Sequence, residues 1–306
     1  MSKRAHFWLM LKKHKVLYLL MLPGILYYLI FKYVPMYGII IAFQDFSVGR
    51  GILDSKFVGL KHFIEFFYVT PDAWKLIRNT VMLNIYDLLF HFPAPILLAL
   101  LFHEIRSKFF KRLVQSISYM PHFLSTVVIA GILVTFLSPT TGVVNHFLVK
   151  VFGMEPIMFL GLPEWFRAIY VGSEIWQKIG WGTILYLAAI AGIDPTLYEA
   201  AKMDGANRFQ QMRHITLIGM LPVMIILFVL TLGNFMESGF QKILLLYNSM
   251  NYETSDVINT FVYRRGILDA DFSFATAVGL FQSAIGLILI VTANRIVRKH
   301  SATSLW

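Results

Sequence analysis

Cysteine is absent from the 306 residues, and charged residues make up only 14% of them. The missing cysteine excludes disulfides, thiolate catalysis and metal sites with cysteine ligands. Soluble domains carry about 25% charged residues, so the low share here indicates that most of the surface faces lipid or other protein. A hydrophobic content of 57% agrees with that interpretation.

Sequence motifs for nucleotide, zinc and serine-nucleophile chemistry are missing as well. The chain contains no GxxxxGK[ST] phosphate-binding loop, no HExxH pattern and no GxSxG elbow. Its nine histidines are scattered, without the spacing of paired metal ligands. We therefore expect a chain that is not an enzyme, has no metal site and carries no cofactor of its own.

Long apolar runs are the main feature that is present, and each is long enough, at about 20 residues, to cross a bilayer as a helix. The first run continues past the roughly 7–15 residues of a signal-peptide core and lacks a cleavage site, which favours an uncleaved helix. No internal repeat or low-complexity linker divides the chain. The sequence predicts an all-α membrane protein with one domain, 1–306. The predicted six transmembrane helices are 16–43, 78–102, 113–137, 169–191, 215–236 and 273–294.

Proline and glycine mark special positions within these spans. Pro23 and Pro35 predict bends in the first span, and Pro93 with Pro95 predicts a kink in the second. Small residues at short spacing usually mark contacts between transmembrane helices. The glycines that predict such contacts are Gly180 and Gly182 in the fourth span, and Gly279 and Gly286 in the sixth.

Basic residues give the chain a net charge of +10 and cluster at the ends of the apolar runs. There they anchor helices against anionic head groups, so they do not indicate nucleic-acid binding. With the N-terminus inside, the inner segments hold 15 Lys and Arg and the longer outer segments hold 10. Both termini are therefore expected to be cytoplasmic. The inner segments are 1–15, 103–112, 192–218 and 295–306, and the outer ones are 44–78, 139–172 and 240–271. Short surface helices are predicted at 60–67 and 163–170.

The stretch 191–222 carries charged and small residues between two apolar spans. Asp194 before Pro195 predicts a helix start, with an N-cap acceptor followed by a proline where a missing N–H costs nothing. Asp204-Gly205 predicts the stop, because glycine accepts the left-handed conformation that ends a helix. A second short helix is expected over 206–214. The stretch would then form a rigid helix–turn–helix elbow at a membrane face.

Glu199-Ala200-Ala201, Gly205 and Ile215-Thr216-Leu217, at this spacing, resemble the EAA loop of permease subunits in bacterial binding-protein-dependent ABC importers. The stretch from Trp176 through Tyr186-Leu187-Ala188-Ala189 is similar to the carbohydrate (oligosaccharide) branch. The resemblance extends over nearly the whole chain, including 37–46 and Ser304-Leu305-Trp306. One difference is Ile218, where the family usually has a proline; here Pro222 follows later, which affects the direction of the next helix. The resemblance implies the type I ABC importer permease fold.

By this resemblance the chain is a multi-pass permease subunit of the bacterial cell membrane, and its EAA coupling loop, 192–218, docks in a groove of an ATPase. The implied partners are a second, homologous permease subunit, two ATPase subunits that hold ATP and magnesium, and an extracellular solute-binding protein. The implied cargo is an oligosaccharide or a sugar derivative. Small residues permit close approach, and carboxylates can pair with basic residues of the ATPase. The residues assigned to coupling are Glu199, Ala200, Ala201, Asp204, Gly205 and Ala206.

Polar and aromatic residues within the spans are candidates for the substrate pathway, because intramembrane ionisable groups are costly and usually face a cavity. Asp87 and His91 lie four residues apart and share a helix face, although a purely structural pair between helices would look the same. Residues at the start of the fourth span could instead lie in the head-group zone, and those at the end of the fifth could contact a binding protein. The candidates are Asn84, Asp87, His91, Trp176, Gln177, Trp181, Asn234 and Glu237.

Two other functions remain open at this point. An integral-membrane enzyme acting on lipid-linked sugars would need a carboxylate cluster at the membrane surface, for which Asp269 and Asp271 are the nearest candidates. A secondary transporter would usually have inverted repeats and interrupted helices, and the sequence indicates neither.

Overall fold

The computed structural model describes residues 13–300 apart from Ser238, so Ser304-Leu305-Trp306 and most of the basic segment 1–15 lie outside the described residues. The helices are α1 (Lys15–Tyr28), α2 (Lys61–Ile64), α3 (Ala73–Tyr86), α4 (Pro93–Glu104), α5 (Lys108–Tyr119), α6 (Thr126–Phe136), α7 (Val143–Phe152), α8 (Pro163–Ala191), α9 (Pro195–Met203), α10 (Arg208–Gln211), α11 (Leu217–Gly233), α12 (Phe240–Leu246), α13 (Tyr252–Ser255), α14 (Ile258–Tyr263) and α15 (Phe272–His300). Two short strands, β1 (Gln44–Asp45) and β2 (Lys56–Phe57), pair antiparallel.

Several helices are joined end to end by π-helical or 3-10 segments. The π-helical segments are Leu29–Tyr33, Glu65–Val69, Asp87–His91, Met212–Thr216 and Arg264–Leu268, and the 3-10 segments are Val34–Phe43 and Met120–Phe123. The helix predicted for 60–67 is confirmed as α2 with its π-helical continuation. The short helix predicted for 163–170 is wrong as a separate element. Pro163 instead begins α8, which runs unbroken for 29 residues.

Four continuous helical stretches are long and apolar enough to cross a membrane, by length and composition alone. They are Lys15–Phe43, Ala73–Glu104, Arg208–Gly233 and Phe272–Lys299. Two further helix pairs qualify together but are bent at a short break, by 101° between Lys108–Phe123 and Thr126–Phe136 and by 69° between α8 and α9. The described chain therefore holds four to six candidate spans, each close to a predicted one.

The third predicted span, 113–137, is wrong as a continuous helix. The chain enters a 3-10 turn at Pro121, becomes extended at Leu124, and begins α6 with Ser125 as its N-cap. The Ser125 hydroxyl accepts a hydrogen bond from the Val128 N–H at 3.3 Å, which stabilises a new helix start inside an apolar run. Interrupted helices are thus present in this chain, contrary to the expectation from its sequence.

Helix α8 lies at the centre of the packing and contacts α4, α5, α11 and α13. Its N-terminal half joins one buried apolar cluster through Phe166 and Tyr170, and its C-terminal half joins another through Tyr186 and Ile190. A Cβ at Gly180 would overlap the backbone carbonyl of Ser118 in α5. The close helix contact predicted for this glycine is therefore confirmed.

Other predicted glycine contacts give a mixed result. A Cβ at Gly182 would lie 2.9 Å from the Pro95 ring of α4, and one at Gly286 would lie 2.5 Å from the Gly233 carbonyl oxygen. These two contacts are confirmed. Gly279 has no neighbouring atom within 4 Å of the corresponding position, so its predicted contact is wrong within the described chain.

Candidate coupling elbow and substrate cavity

The elbow begins as its sequence predicts. The Asp194 carboxylate accepts a hydrogen bond from the Thr196 N–H at 2.9 Å, and Pro195 occupies the first turn of α9. The backbone N–H and then the side chain of Thr196 lower the pKa of Asp194. The pKa of Asp194 is thus lower in the folded protein than in the unfolded chain. The stability that this cap contributes is therefore present in full at neutral pH and is lost as pH falls through the lowered pKa.

Helix α9 ends where glycine was predicted to end it. Gly205 has φ +79°, and the Ala206 N–H donates to the Ala201 carbonyl at 2.8 Å. The chain then restarts with a capping box, in which the Asn207 side chain accepts from the Gln210 N–H and the Gln210 side chain accepts from the Asn207 N–H. These reciprocal bonds satisfy donors at the new helix start.

The second elbow helix, predicted as a separate element over 206–214, is wrong in extent. Helix α10 passes through the π-helical segment at Met212 into α11 without leaving helical geometry, so Arg208–Gly233 is one continuous stretch. Ile218 stands where the family that the sequence resembles usually has a proline, and its N–H is compatible with an unbroken helix. Pro222 lies inside α11.

Side chains fasten the elbow to two membrane helices. The Tyr198 hydroxyl of α9 lies 3.0 Å from the hydroxyl of Thr216, which is buried at the start of α11. An ion pair of 3.1 Å joins Arg208 to Glu104 at the end of α4. Between these contacts lies a groove of about 680 Å³ lined by residues 103–106 and by the elbow. The Tyr198 contact therefore joins α9 to the start of α11, and the Arg208 contact joins α10 to α4.

The residues assigned to coupling present an open surface. Glu199, Ala200, Asp204 and Gly205 are exposed, while Ala201 and Ala206 are half-buried. A Cβ at Gly205 would meet no atom of the described chain within 4 Å. Small, exposed backbone of this kind can accept the close approach of another protein, and the coupling role of these six residues stays a prediction.

A cavity of about 460 Å³ lies among the second predicted span, α8 and α11, and extends into the turn after α11. It brings together six of the eight residues proposed for the substrate pathway: Asn84, Asp87, His91, Trp181, Asn234 and Glu237. Further lining residues that the sequence did not single out include Phe92, His122, Tyr186 and Thr231. The mixture of aromatic faces, hydroxyls, amides and ionisable groups suits a hydroxyl-rich ligand.

The Asp87–His91 pair lies in a π-helical turn on the cavity wall. Its side chains approach to 3.1 Å and are each partly exposed. The Phe92 N–H donates to the Asp87 carbonyl five residues back, and the following Pro93 has no N–H with which to resume the regular α-helical pattern. The two side chains therefore contact each other within one helical segment, not between helices, and both line the cavity; their role in the substrate pathway stays a prediction.

An aromatic stack forms another part of the wall. The rings of Trp181 and His122 are parallel, with centroids 4.6 Å apart, and Phe123 meets the indole edge-on at 5.7 Å. His122 and Phe123 reach this position because the chain breaks after them. Sequence reasoning missed His122 since it assumed an unbroken helix; Pro121 was the available signal.

Trp176 and Gln177 do not line this cavity. Trp176 is exposed, and buried Gln177 donates a hydrogen bond to the Leu124 carbonyl at 3.2 Å. Since Leu124 is the extended residue at the helix break, Gln177 satisfies a backbone acceptor that the broken helix leaves open. Its visible role is structural.

Glu174, near the middle of α8, is buried and carries two lysine partners. Its carboxylate lies 2.5 Å from the Lys178 ammonium, one turn further along α8, and 2.5 Å from the Lys242 ammonium of α12. The Glu174 side chain is 6% exposed, so its carboxylate is buried among other side chains. Lys178 also lines the cavity.

Two further expectations concern metal and surface carboxylates. Within the described residues, no group of three or more His, Cys, Asp and Glu side chains could hold a metal ion. Asp271 pairs with Arg265 at 3.2 Å and accepts a hydrogen bond from the Phe274 N–H at the start of α15. This carboxylate therefore has a structural role, which removes half of the pair that a lipid-sugar enzyme would need.

Replacing Asp87 by asparagine is expected to lower transport about tenfold, because a hydrogen bond to a charged group contributes about 1.5–3 kcal/mol. Stability should change little, since the Asp87–His91 pair is partly exposed. Uptake per folded complex and thermal unfolding would be measured together. The control is Asp72→Asn, which removes a carboxylate paired with Lys75 outside the cavity. Normal uptake by an unstable Asp87 variant would assign the residue to structure alone.

Comparison with known proteins gives matches over most or all of the chain. A sequence profile described as "Binding-protein-dependent transport system inner membrane component" matches residues 91–301. A permease protein of Bacillus subtilis, YteP, described as belonging to a polygalacturonan/rhamnogalacturonan transport system, is 46% identical over 305 residues, which cover all of this chain and 94% of the relative. The B. subtilis protein LplB is 47% identical over 296 residues, which cover 97% of this chain and 92% of LplB.

A solved structure supports the same grouping. A chain of a bacterial alginate ABC transporter, crystallised in complex with an alginate pentasaccharide-bound periplasmic protein, matches with a TM-score of 0.90. The two chains are 43% identical, and the match covers 97% of this chain and 99% of the other. Agreement in both sequence and fold extends over nearly the full length of each.

Proposed function

Because the chain belongs to the family of binding-protein-dependent transport system inner membrane components, we propose that it carries an oligosaccharide or sugar derivative across the membrane of a bacterial cell. The observation that carries this proposal is the joint position of elbow and cavity. The elbow is tied by Tyr198 and Arg208 to α11 and α4, and residues of both helices line the cavity. A push on the elbow is thereby transmitted to the walls around the cargo.

The nature of the cargo follows from the lining of the cavity and from the relatives. Carboxylates and amides can bind sugar hydroxyls, as Asp87 and Asn234 would. Aromatic rings can stack on sugar rings, as Trp181 would. Two of the matched proteins are described as parts of transport systems for polygalacturonan/rhamnogalacturonan and for alginate. Both descriptions name carbohydrate polymers, which supports an oligosaccharide cargo for this chain.

The proposal includes an assembly and a topology. One transmembrane domain with six spans and cytoplasmic termini would pair with a second, similar permease. Two ATPase subunits, holding ATP and magnesium, would bind the elbows, and an extracellular solute-binding protein would deliver the cargo. Nucleotide-driven movement of the ATPases would then shift the permeases between inward-facing and outward-facing states. Support comes from the family membership and from the binding protein present in the alginate transporter structure.

Glu199→Lys tests the coupling role of the elbow. Placing a positive charge where a carboxylate is expected to face the ATPase should lower ATP-dependent uptake about tenfold or more, because like charges across an interface cost several kcal/mol. Co-purification of the ATPase should fall in parallel, while membrane insertion stays normal. Glu155→Lys, at another exposed glutamate, is the control and should transport normally. Unchanged uptake by the Glu199 variant would refute coupling through this face, and uptake that needs no ATP would favour a secondary transporter.

A further inference from the structure

The ion pairs around Glu174 involve two lysines with different surroundings. The side chain of Lys242 is 2% exposed, and within the described chain no hydrogen-bond acceptor other than the Glu174 carboxylate serves its ammonium. The side chain of Lys178 is 48% exposed and lines the cavity. One lysine is thus committed to Glu174, whereas the other lies between Glu174 and the space proposed for the cargo.

Charge balance makes Lys178 the exchangeable partner. Removing one member of a buried ion pair is strongly destabilising, because it leaves an uncompensated buried charge. If Lys178 turns towards the cavity, Glu174 still keeps Lys242 at 2.5 Å. If Lys242 were absent, Glu174 would have only Lys178, and the movement would leave its carboxylate unpaired. The buried lysine therefore allows the exposed lysine to leave.

We propose that Lys178 binds a carboxylate of an anionic sugar in the cavity, and that Lys242 is a positioning residue that holds the charge of Glu174 meanwhile. This inference rests on the proposed function and specifies its cargo as an acidic oligosaccharide. Trp181 follows Lys178 by three residues on α8, a spacing at which helical side chains are neighbours. A sugar ring held at the Trp181 side of the cavity would place its carboxylate near Lys178.

The other charged groups of the cavity are compatible with this assignment. Asp87 lies 3.1 Å from the imidazole of His91, so part of its hydrogen-bonding capacity is already used within its own helical segment. Glu237 is exposed and also lines a neighbouring cavity of about 620 Å³, which places it at a boundary between the two spaces. Both carboxylates can accept hydrogen bonds from sugar hydroxyls, and Lys178 is the lysine among the residues lining the cavity that can bind the acid group.

The test measures uptake by the full complex, with its partner permease, ATPases and binding protein, in proteoliposomes. The probes are a labelled uronic-acid trisaccharide and its neutral, carboxyl-reduced counterpart. Lys178→Met should lower uptake of the acidic trisaccharide about tenfold, the effect expected for one charge-assisted hydrogen bond, and should alter uptake of the neutral one less. Lys178→Arg keeps the charge and should stay within about threefold of the unmodified protein.

Variants of the buried pair separate a positioning role from a merely structural one. Lys242→Met should lower acidic-sugar uptake as strongly as Lys178→Met. Without Lys242, Lys178 is the only lysine paired with Glu174, so it stays there and does not bind the sugar carboxylate. The double variant Glu174→Gln with Lys242→Met removes the carboxylate that retains it, so uptake should recover to within about threefold of normal. A purely structural pair predicts that the double variant transports no better than Lys242→Met, and that result would overturn the inference.

The outcomes also distinguish this inference from the proposed function. Equal loss of acidic and neutral uptake in Lys178→Met, or import of the neutral sugar alone by the unmodified complex, would refute carboxylate recognition and leave sugar transport intact. Import of neither trisaccharide by a complex whose ATPase is stimulated by loaded binding protein would count against both. Selective loss of the acidic sugar, restored by arginine, would support both.

Discussion

Substituting asparagine for Gly205 is expected to reduce ATP-driven uptake about tenfold or more while the chain still folds and inserts. Gly205 ends α9 with φ +79°, and asparagine is among the residues that tolerate this left-handed conformation. The substitution therefore retains the end of the helix but adds a side chain to the face that we propose docks against the ATPase. Extra bulk at a closely packed interface should prevent full approach. Uptake and co-purification of the ATPase would be measured on the same preparations.

Gly153 provides a matched control for the backbone effect. It caps the end of α7 with φ +64°, and a Cβ there would also meet no atom of the described chain within 4 Å. Gly153→Asn thus makes the same chemical change at the same kind of helix end, outside the elbow. This variant should leave transport nearly normal. If both variants lose transport equally, strain in the backbone explains the result; if neither does, Gly205 is not at a docking surface.

Short-range signals made the elbow predictable from sequence. The cap at Asp194, the proline at position 195 and the left-handed Gly205 each act within a few residues, so no distant contact was needed to place them. The extent of the following helix was not predictable in the same way. Whether the chain continues from α10 into α11 depends on the backbone at 212–216, where no proline enforces a break.

The broken third span shows why an apolar run is an incomplete guide. Hydropathy across 113–137 gives one continuous segment, whereas the chain turns by 101° within it. Pro121 and the Ser125 cap favour the break locally. The side chain of Gln177, from a different helix, donates a hydrogen bond to the Leu124 carbonyl at the break. This last contribution is tertiary and could not be obtained from the segment itself.

The cavity was predictable in part. Polar and aromatic residues within or next to the apolar spans identified six of its lining residues, because polar groups in a membrane are costly unless they face a cavity or a partner. Lys242 was not singled out, since its position in QKILLL after the fifth span carries no sign of a buried ion pair. Only the packing of α12 against α8 brings its ammonium to Glu174. Pairing between distant segments is therefore the part of the site that sequence patterns did not reveal.

Replacing Gly180 by alanine is expected to lower the free energy of unfolding by about 1–3 kcal/mol, the usual effect of overpacking a tight contact. A Cβ at this position would overlap the Ser118 backbone of α5, and a backbone group cannot move aside as a flexible side-chain end can. Helices α5 and α8 would have to separate. Because α5 leads directly into the segment that carries His122, its stack with Trp181 should loosen and uptake should fall as well.

Thermal unfolding of the purified chain in detergent measures the stability change, with Gly172→Ala as the control on the same helix. Gly172 has no neighbouring atom within 4 Å of an added Cβ, and alanine is the better helix former by about 1 kcal/mol. The control should therefore be as stable as the unmodified chain or more so. Since both variants make the same chemical change in α8, a difference between them isolates the contact with Ser118. Equal stability of the two would show that α5 and α8 are not packed as closely as the structure has them.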